Sequence, residues 1–410
     1  MKRVVITGIG VISPIGNDAQ DFWHNLVAGK DGILKLDPKE FENSPVKLAA
    51  TVEDLDLSSL PKRDTKFDSR FTNFARIASK EAWLDSGLDI TKEDAHRIGV
   101  YISTSIGGSE TLSAGVRQLD EKGAERISPY FLQSVLPNTA AAKVSIDLGA
   151  KGSSMCHVAA CASGSISIGE AFNKIKEGTA DVIVAGAADA SITPLTLAGF
   201  AAMRAIYTGD DKKLASIPFD SKRSGFCIGE GAGILVLEEL GHAQKRGAKI
   251  YAEIVGYANN SDAFNMVSPD YEGLSCKDVM LESIQNANIK PEDICYINAH
   301  GTSTHMGDKT EAKAINEIWS NNANAPVVSS VKSQIGHLLS ASGAVEATAT
   351  ILMLQNGIIP KINYAIDADK ECELNLCEKE QKPNTDYALS NSFGFGGHNS
   401  SLVFKKWREQ

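Results

Sequence analysis

Residues 153–178, "SSMCHVAACASGSISIGEAFNKIKEG", decide how this 410-residue chain is to be read. They run from a strand-like start, through a turn of small residues, into a helical pattern that stops at a glycine. About 170 residues later the order returns in "APVVSSVKSQIGHLLSASGAVEATATILMLQNG", residues 325–357. A second pair supports the first: "RIGVYISTSIGGS" at 97–109 has its counterpart in "DICYINAHGTSTHMGD" at 293–308. The spacing is too loose for a short-period solenoid. It predicts two similar halves, 1–250 and 251–410, meeting after "GHAQKRGAK", with turns after corresponding strands facing a shared site.

Around these segments, β-branched runs such as "RVVITGIG", "DVIVAGAADA", "GILVLEEL", "IYAEIVGYA" and "SSLVFKK" alternate with longer helical patterns, which means an α/β fold. The first run tempts a dinucleotide reading. In "VVITGIGVISPIG", however, Gly8 and Gly10 are followed by Ser13 and Pro14 where a third glycine should open a helix, and a structural turn is expected instead.

Composition narrows the function. A net charge of −10 argues against general nucleic-acid binding, leaving room only for local basic patches toward an acidic partner. Seven cysteines without a repeated CxxC read as reduced thiols of a cytoplasmic protein. No secretory leader is recognisable at "MKRVVITGIG", and no apolar run approaches a membrane span.

Cys161 sits among alanines, serines and glycines, at the turn from strand to helix. A structural cysteine usually packs among larger apolar groups; here the small neighbours leave room above the sulfur, and the helix N-terminus favours thiolate. Its backbone N–H could form half of an oxyanion hole. His300 and His337, both in the second half, each follow a strand-like run, in corresponding loops of the duplicated pattern with Cys161 in a third. Singly, each is more often structural; together with Cys161 they suggest nucleophilic catalysis. Metal binding is the rival, but there is no HExxH and no chelating spacing.

"AACASG", "NAHGTST", "KSQIGHLLSASGAVE" and "NSFGFGGHN" resemble, in order and spacing, the elongating β-ketoacyl-[acyl carrier protein] synthases of type II, within the thiolase-like superfamily. The resemblance spans essentially the whole chain. It implies a duplicated thiolase-like α/β fold, layered αβαβα with two mixed sheets, and a decarboxylative Claisen condensation of acyl and malonyl carrier proteins giving a 3-oxoacyl carrier protein and CO2. It implies Cys161 as acylated nucleophile, with His300 and His337 stabilising the enolate. Lys332 and Glu346 match positions that hold the second histidine, and Asp308 and Glu311 match the acidic residues after "GTST". Thr302 and Thr304 would bond the phosphopantetheine arm. Phe395 matches a gating residue whose N–H completes the oxyanion hole, with Phe393 beside it, and Ile106 and Phe200 match acyl-pocket positions. Lys62, Lys66, Arg126 and Arg204 match basic carrier-protein contacts. No metal or redox cofactor is implied, only the pantetheine the substrates bring. The partners implied are the acyl carrier protein and a second subunit, as a homodimer or as a heterodimer with a chain-length factor; neither nucleic acid nor membrane is expected.

Departures from the pattern are Ile217 and Ser224 in "IPFDSKRSGF", Gln334, and Thr65 and Glu125 where basic residues are common. They leave open two alternatives: the ketosynthase subunit of a type II polyketide or aryl polyene pathway, and a non-catalytic scaffold that binds carrier protein.

Overall fold

The computed structural model describes residues 1–319, 325–364 and 367–408. Ten strands form its main sheet: β1 (Val4–Ile12), β2 (Ile98–Ser103), β3 (Ser154–Met155), β4 (Val182–Asp189), β5 (Gly231–Glu239), β6 (Ala252–Ser261), β7 (Ile294–Asn298), β8 (Val327–Ser329), β9 (Tyr387–Gly394) and β10 (His398–Lys406). Their order is β8-β7-β9-β10-β6-β1-β5-β4-β2-β3. The first five strands in sequence lie in the order β3-β2-β4-β5-β1. The last five repeat it as β8-β7-β9-β10-β6. Strand directions repeat too: β2 is parallel to β3 and β4, as β7 is to β8 and β9, while the remaining neighbours within each half are antiparallel.

The two mixed sheets expected from the sequence are these halves, hydrogen-bonded into one ten-stranded sheet where Val4, Val5 and Ile6 pair with Ile254, Glu253 and Ala252. A separate two-stranded ribbon joins Leu34–Lys35 to Leu48–Ala49. Strand β3 is shorter than "MCHVAA" suggests, since only Ser154 and Met155 pair with β2.

Helices make the other layers. Helices α1 (Arg70–Ser86) and α2 (Thr139–Leu148) cover the outer face of the first half, while α4 (Leu274–Asn286) and α5 (His305–Trp319) cover that of the second. Between the halves lie α3 (Ser163–Lys176) and α6 (Ser340–Asn356), in a core shared by Ile6, Ile183 and Leu235 from one side and Ile254, Tyr296 and Phe404 from the other. Helix α6 is buried continuously from Ser340 to Leu354, so it presents no amphipathic stripe.

The small residues at the starts of α3 and α6 let the two helices touch. A Cβ added at Gly164 would lie 2.5 Å from the carbonyl oxygen of Ser340, and one at Gly343 would lie 2.4 Å from Ser165 Oγ. Each helix thus enters the other where a side chain is missing, which fixes the two preceding turns face to face. Gly8 and Gly10 do related work. They fall inside β1 rather than in the expected turn, and a Cβ on either would meet a carbonyl oxygen of α1, Ala82 at 2.1 Å or Ala78 at 1.9 Å.

Among the described residues no helix is long and apolar enough to cross a membrane. All seven cysteines are free thiols.

Candidate active site

Three turns and the end of one strand converge on a cavity of about 300 Å³, lined by Cys161, His300, His337, Phe393 and Phe395 among others. Cys161 lies two residues before α3 and His337 three before α6. Each turn passes through a left-handed residue that is not glycine, Ala160 (φ +48°) and Leu339 (φ +51°). The two turns are therefore built alike, and the crossing of α3 with α6 brings them together. His337 Nε2 lies 3.0 Å from Cys161 Sγ, and His337 Nδ1 lies 2.9 Å from Ser342 Oγ. The ring of His300 stands edge-on to that of His337, with centroids 5.4 Å apart.

The acidic groups after "GTST" hold the His300 loop by its backbone. Glu311 accepts the N–H groups of His300 and Gly301, both at 2.8 Å, and Asp308 accepts those of Thr302 (2.9 Å), Ser303 (3.1 Å) and Phe219 (2.8 Å). Burial pushes both carboxyls up, Asp308 to about 6 and Glu311 to about 7, although the donated N–H groups pull the other way. Lys332 corrects one expectation. Its ammonium pairs with Glu346 and donates to the carbonyl oxygen of His300 at 2.6 Å, so the buried pair grips the first histidine, not the second. Lys332 follows β8 and His300 follows β7, and because these two strands are parallel neighbours the lysine reaches from one loop to the next.

Electrostatics correct another expectation. Burial pushes the Cys161 thiol up to about 12, with the Lys332 charge opposing. The helix N-terminus offers only about 0.3–1 kcal/mol, less than the roughly 1.4 kcal/mol that moves a pKa by one, so the resting group is the thiol rather than the expected thiolate. Burial, reinforced by Lys332, holds both histidines well below the ordinary imidazole range. Both are neutral at pH 7, and each carries one ring proton.

The other residues singled out from sequence divide. Thr302 and Thr304 line the cavity with their hydroxyls 3.0 Å apart. Phe200 lines it too, 5.1 Å edge-on from Phe226 and 6.4 Å from Phe395, and Phe393 meets the His300 ring at 5.9 Å. Ile106 does not join them: it follows β2 onto the surface, 42% exposed and outside the lining. Lys62, Lys66, Arg126 and Arg204 are all exposed. Phe67 stacks on Tyr130 at 4.3 Å, which docks the 62–67 segment beside the 126–130 segment, while Arg204 lies apart at the mouth of the cavity.

Sequence reasoning passed over Phe226, edge-on to His337 at 5.3 Å, and Ser342. A signal for Ser342 was present: "SASG" at 340–343 matches "CASG" at 161–164 residue for residue after the first. Among the described residues, no group of three or more His, Cys, Asp or Glu side chains is gathered as metal ligands.

The same chain matches two family descriptions in tandem, the beta-ketoacyl synthase N-terminal domain over residues 1–243 and the beta-ketoacyl synthase C-terminal domain over 251–364. It is 45% identical over 408 residues to the 3-oxoacyl-[acyl-carrier-protein] synthase 2 of Staphylococcus aureus strain COL, covering 99% of each chain. It is 43% identical over 410 residues to the protein of the same name from Synechocystis, again covering 99% of each. Among solved structures it superposes, with a TM-score of 0.92 and 30% identity over 99% of this chain and 100% of the other, on a chain of a complex between a type II polyketide synthase acyl-carrier protein and its ketosynthase bound to a hexaketide.

Proposed function

The chain belongs to the β-ketoacyl synthase family, and from that premise we propose that it elongates acyl chains by decarboxylative Claisen condensation on acyl carrier protein. The observation that carries the proposal is the contact of Cys161 Sγ with His337 Nε2 at 3.0 Å, beside His300, in a cavity that Thr302 and Thr304 also line.

In the first half-reaction Cys161 attacks the acyl thioester. A C–S bond forms to Cys161, the bond to the carrier's pantetheine sulfur breaks, and the thiol proton leaves with that sulfur. In the second, malonyl carrier protein loses CO2, and the electrons of the broken C–C bond become an enolate. Its carbon attacks the acyl-Cys161 carbonyl, the new C–C bond forms, and Cys161 is released and reprotonated. Charge collects on the malonyl thioester oxygen only in this half, which is where the neutral His300 and His337 rings act as hydrogen-bond donors. Phe395 contributes its N–H to the acyl oxyanion and closes over the site with Phe393. Thr302 and Thr304 hold the pantetheine, Phe200 walls the acyl pocket, and Lys332, Glu346, Asp308 and Glu311 hold the His300 loop.

An acidic carrier protein would approach over Lys62, Lys66, Arg126 and Arg204. The second subunit is a copy of this chain: β3 ends the sheet with an open edge, and Met155, Val158 and Ile106 stand exposed beside it. That pairing gives Ile106 a place it lacks in the single chain. A two-half division near residue 250 and a cytoplasmic location belong to the same proposal. Identity of 45% to a chain-elongating synthase against 30% to a polyketide ketosynthase supports fatty acid elongation over the polyketide alternative.

Two substitutions test the reaction. Cys161→Ala abolishes condensation, whereas Cys161→Gln, whose amide imitates an acylated thiol, retains or gains malonyl decarboxylation. Condensation by the alanine variant at the wild-type rate overturns the proposal.

A further inference from the structure

The runs Cys161–Gly164 and Ser340–Gly343 open the two central helices in the same way, and their serines can be compared directly. Ser163 Oγ accepts the N–H of Ala159, four residues back, at 2.8 Å, and donates its own proton to the carbonyl oxygen of Ala160 at 2.6 Å. Ser342 Oγ likewise accepts the N–H of Leu338, four residues back, at 2.8 Å. Its second neighbour is no carbonyl but Nδ1 of His337, at 2.9 Å.

That arrangement dictates where the protons are. Ser342 is fully buried, and among the described residues its hydroxyl has no acceptor other than Nδ1. Were Nδ1 protonated, two donors would point at one oxygen, and the hydroxyl proton would be buried without a partner. With Nδ1 as acceptor every group is satisfied, just as at Ser163. We propose that Ser342 is a positioning residue that fixes His337 as the tautomer protonated on Nε2, so that the N–H facing Cys161 Sγ is a donor, first to sulfur and then to the substrate oxygen.

Because the ring is neutral, the tautomer alone decides whether Nε2 gives or takes a hydrogen bond. His300 has no such device: among the described residues its Nδ1 has no hydrogen-bond partner. The site thus holds one histidine locked as a donor and one whose ring proton is not fixed by the protein. His337 is therefore not the base that removes the thiol proton. The inference rests on the condensation reading for the use of that donor, but not for the tautomer itself.

The experiment has two readouts. In protein carrying ¹⁵N-labelled histidine, with the His337 signals identified by their loss in His337→Asn, wild type shows Nε2 protonated and Nδ1 bare. Ser342→Ala moves the ring toward a mixture of tautomers. Protonated Nδ1 in wild type overturns the proposal. In kinetics, Ser342→Ala lowers malonyl decarboxylation about tenfold, the effect of losing one buried hydrogen bond. The same substitution costs nothing further in His337→Asn, whose amide donor has no tautomer to set. An equal loss in both backgrounds means that Ser342 only supports packing, and overturns the proposal. The ring signals judge the tautomer at any rate of turnover, so failure here is told apart from failure of the condensation reading, which the Cys161 variants decide.

Discussion

Replacing Lys332 by methionine separates what the buried ion pair does for stability from what it does for chemistry. Lys332 and Glu346 are both fully buried, and Glu346 Oε2 has no hydrogen-bond partner among the described residues, so Lys332 is the only charge answering that carboxylate. Removing one member of such a pair costs about 3–5 kcal/mol. The loss is pH-dependent, and its sign follows from the carboxyl. Without the ammonium, the folded-state pKa of Glu346, already raised by burial, rises further above its unfolded value of about 4.3. The stability tied to its protonated form is complete below that value and is lost as pH rises through the folded pKa. Going from pH 8 to pH 6 therefore returns up to about 2.7 kcal/mol to Lys332→Met, at about 1.4 kcal/mol per pH step. A second change, Glu346→Leu, removes the stranded charge and restores stability to within about 1 kcal/mol of wild type. Activity does not return with it, because the grip on the His300 carbonyl is still missing. The histidines, relieved of the Lys332 charge, become more basic, so the acid limb of the pH–rate profile for decarboxylation moves to higher pH. Urea unfolding at pH 6 and pH 8, with CO2 release measured alongside, checks all of this. If Lys332→Met unfolds like wild type at pH 8, or if the double variant regains rate together with stability, the reasoning is refuted.

The helix crossing makes a second prediction: Gly164→Ala drives a methyl to 2.5 Å from the Ser340 carbonyl, forces α3 and α6 apart, and costs about 1–3 kcal/mol and on the order of 10²-fold in condensation rate. A variant with wild-type rate and melting temperature would show that the crossing does not set the cysteine–histidine distance. Alkylation of Cys161 by iodoacetamide rises about tenfold per pH step from 7 to 9 without a plateau, because the thiol titrates at about 12; a plateau near neutral pH would mean a resting thiolate. Charge reversal at Lys66 and Arg204 raises KM for carrier-bound substrates in a salt-dependent manner and spares small thioester mimics, and an equal effect on both substrate types would place the damage in the fold.

The fold could be read from the chain because the repeat of strand, small-residue turn and helix is a local pattern written twice. The central crossing also leaves a local mark, since "CASG" and "SASG" omit bulk at matching places, but the repeat by itself pointed only to a shared site and not to the helices that touch there. What stayed hidden depends on neighbours far away in sequence. Gly8 and Gly10 looked like a turn because nothing nearby reveals that α1 lies on their strand. The thiolate expectation weighed a helix end, which is local, and missed the burial around Cys161, which the whole fold creates. Lys332 could be matched to a supporting position, but which histidine it holds depends on the packing of β7 against β8. Ile106 sits in the right stretch of sequence and still lies outside the lining of the catalytic cavity, because the chain leaves β2 for the surface before reaching it.

The central claim is that Cys161 carries the acyl group between the two half-reactions, and intact-protein mass spectrometry after incubation with a panel of acyl carrier proteins tests it most directly. The account predicts one acyl adduct per chain, absent in Cys161→Ala and discharged on addition of malonyl carrier protein as 3-oxoacyl carrier protein and CO2. An adduct that forms equally fast in Cys161→Ala, or one that malonyl carrier protein does not discharge, would contradict it.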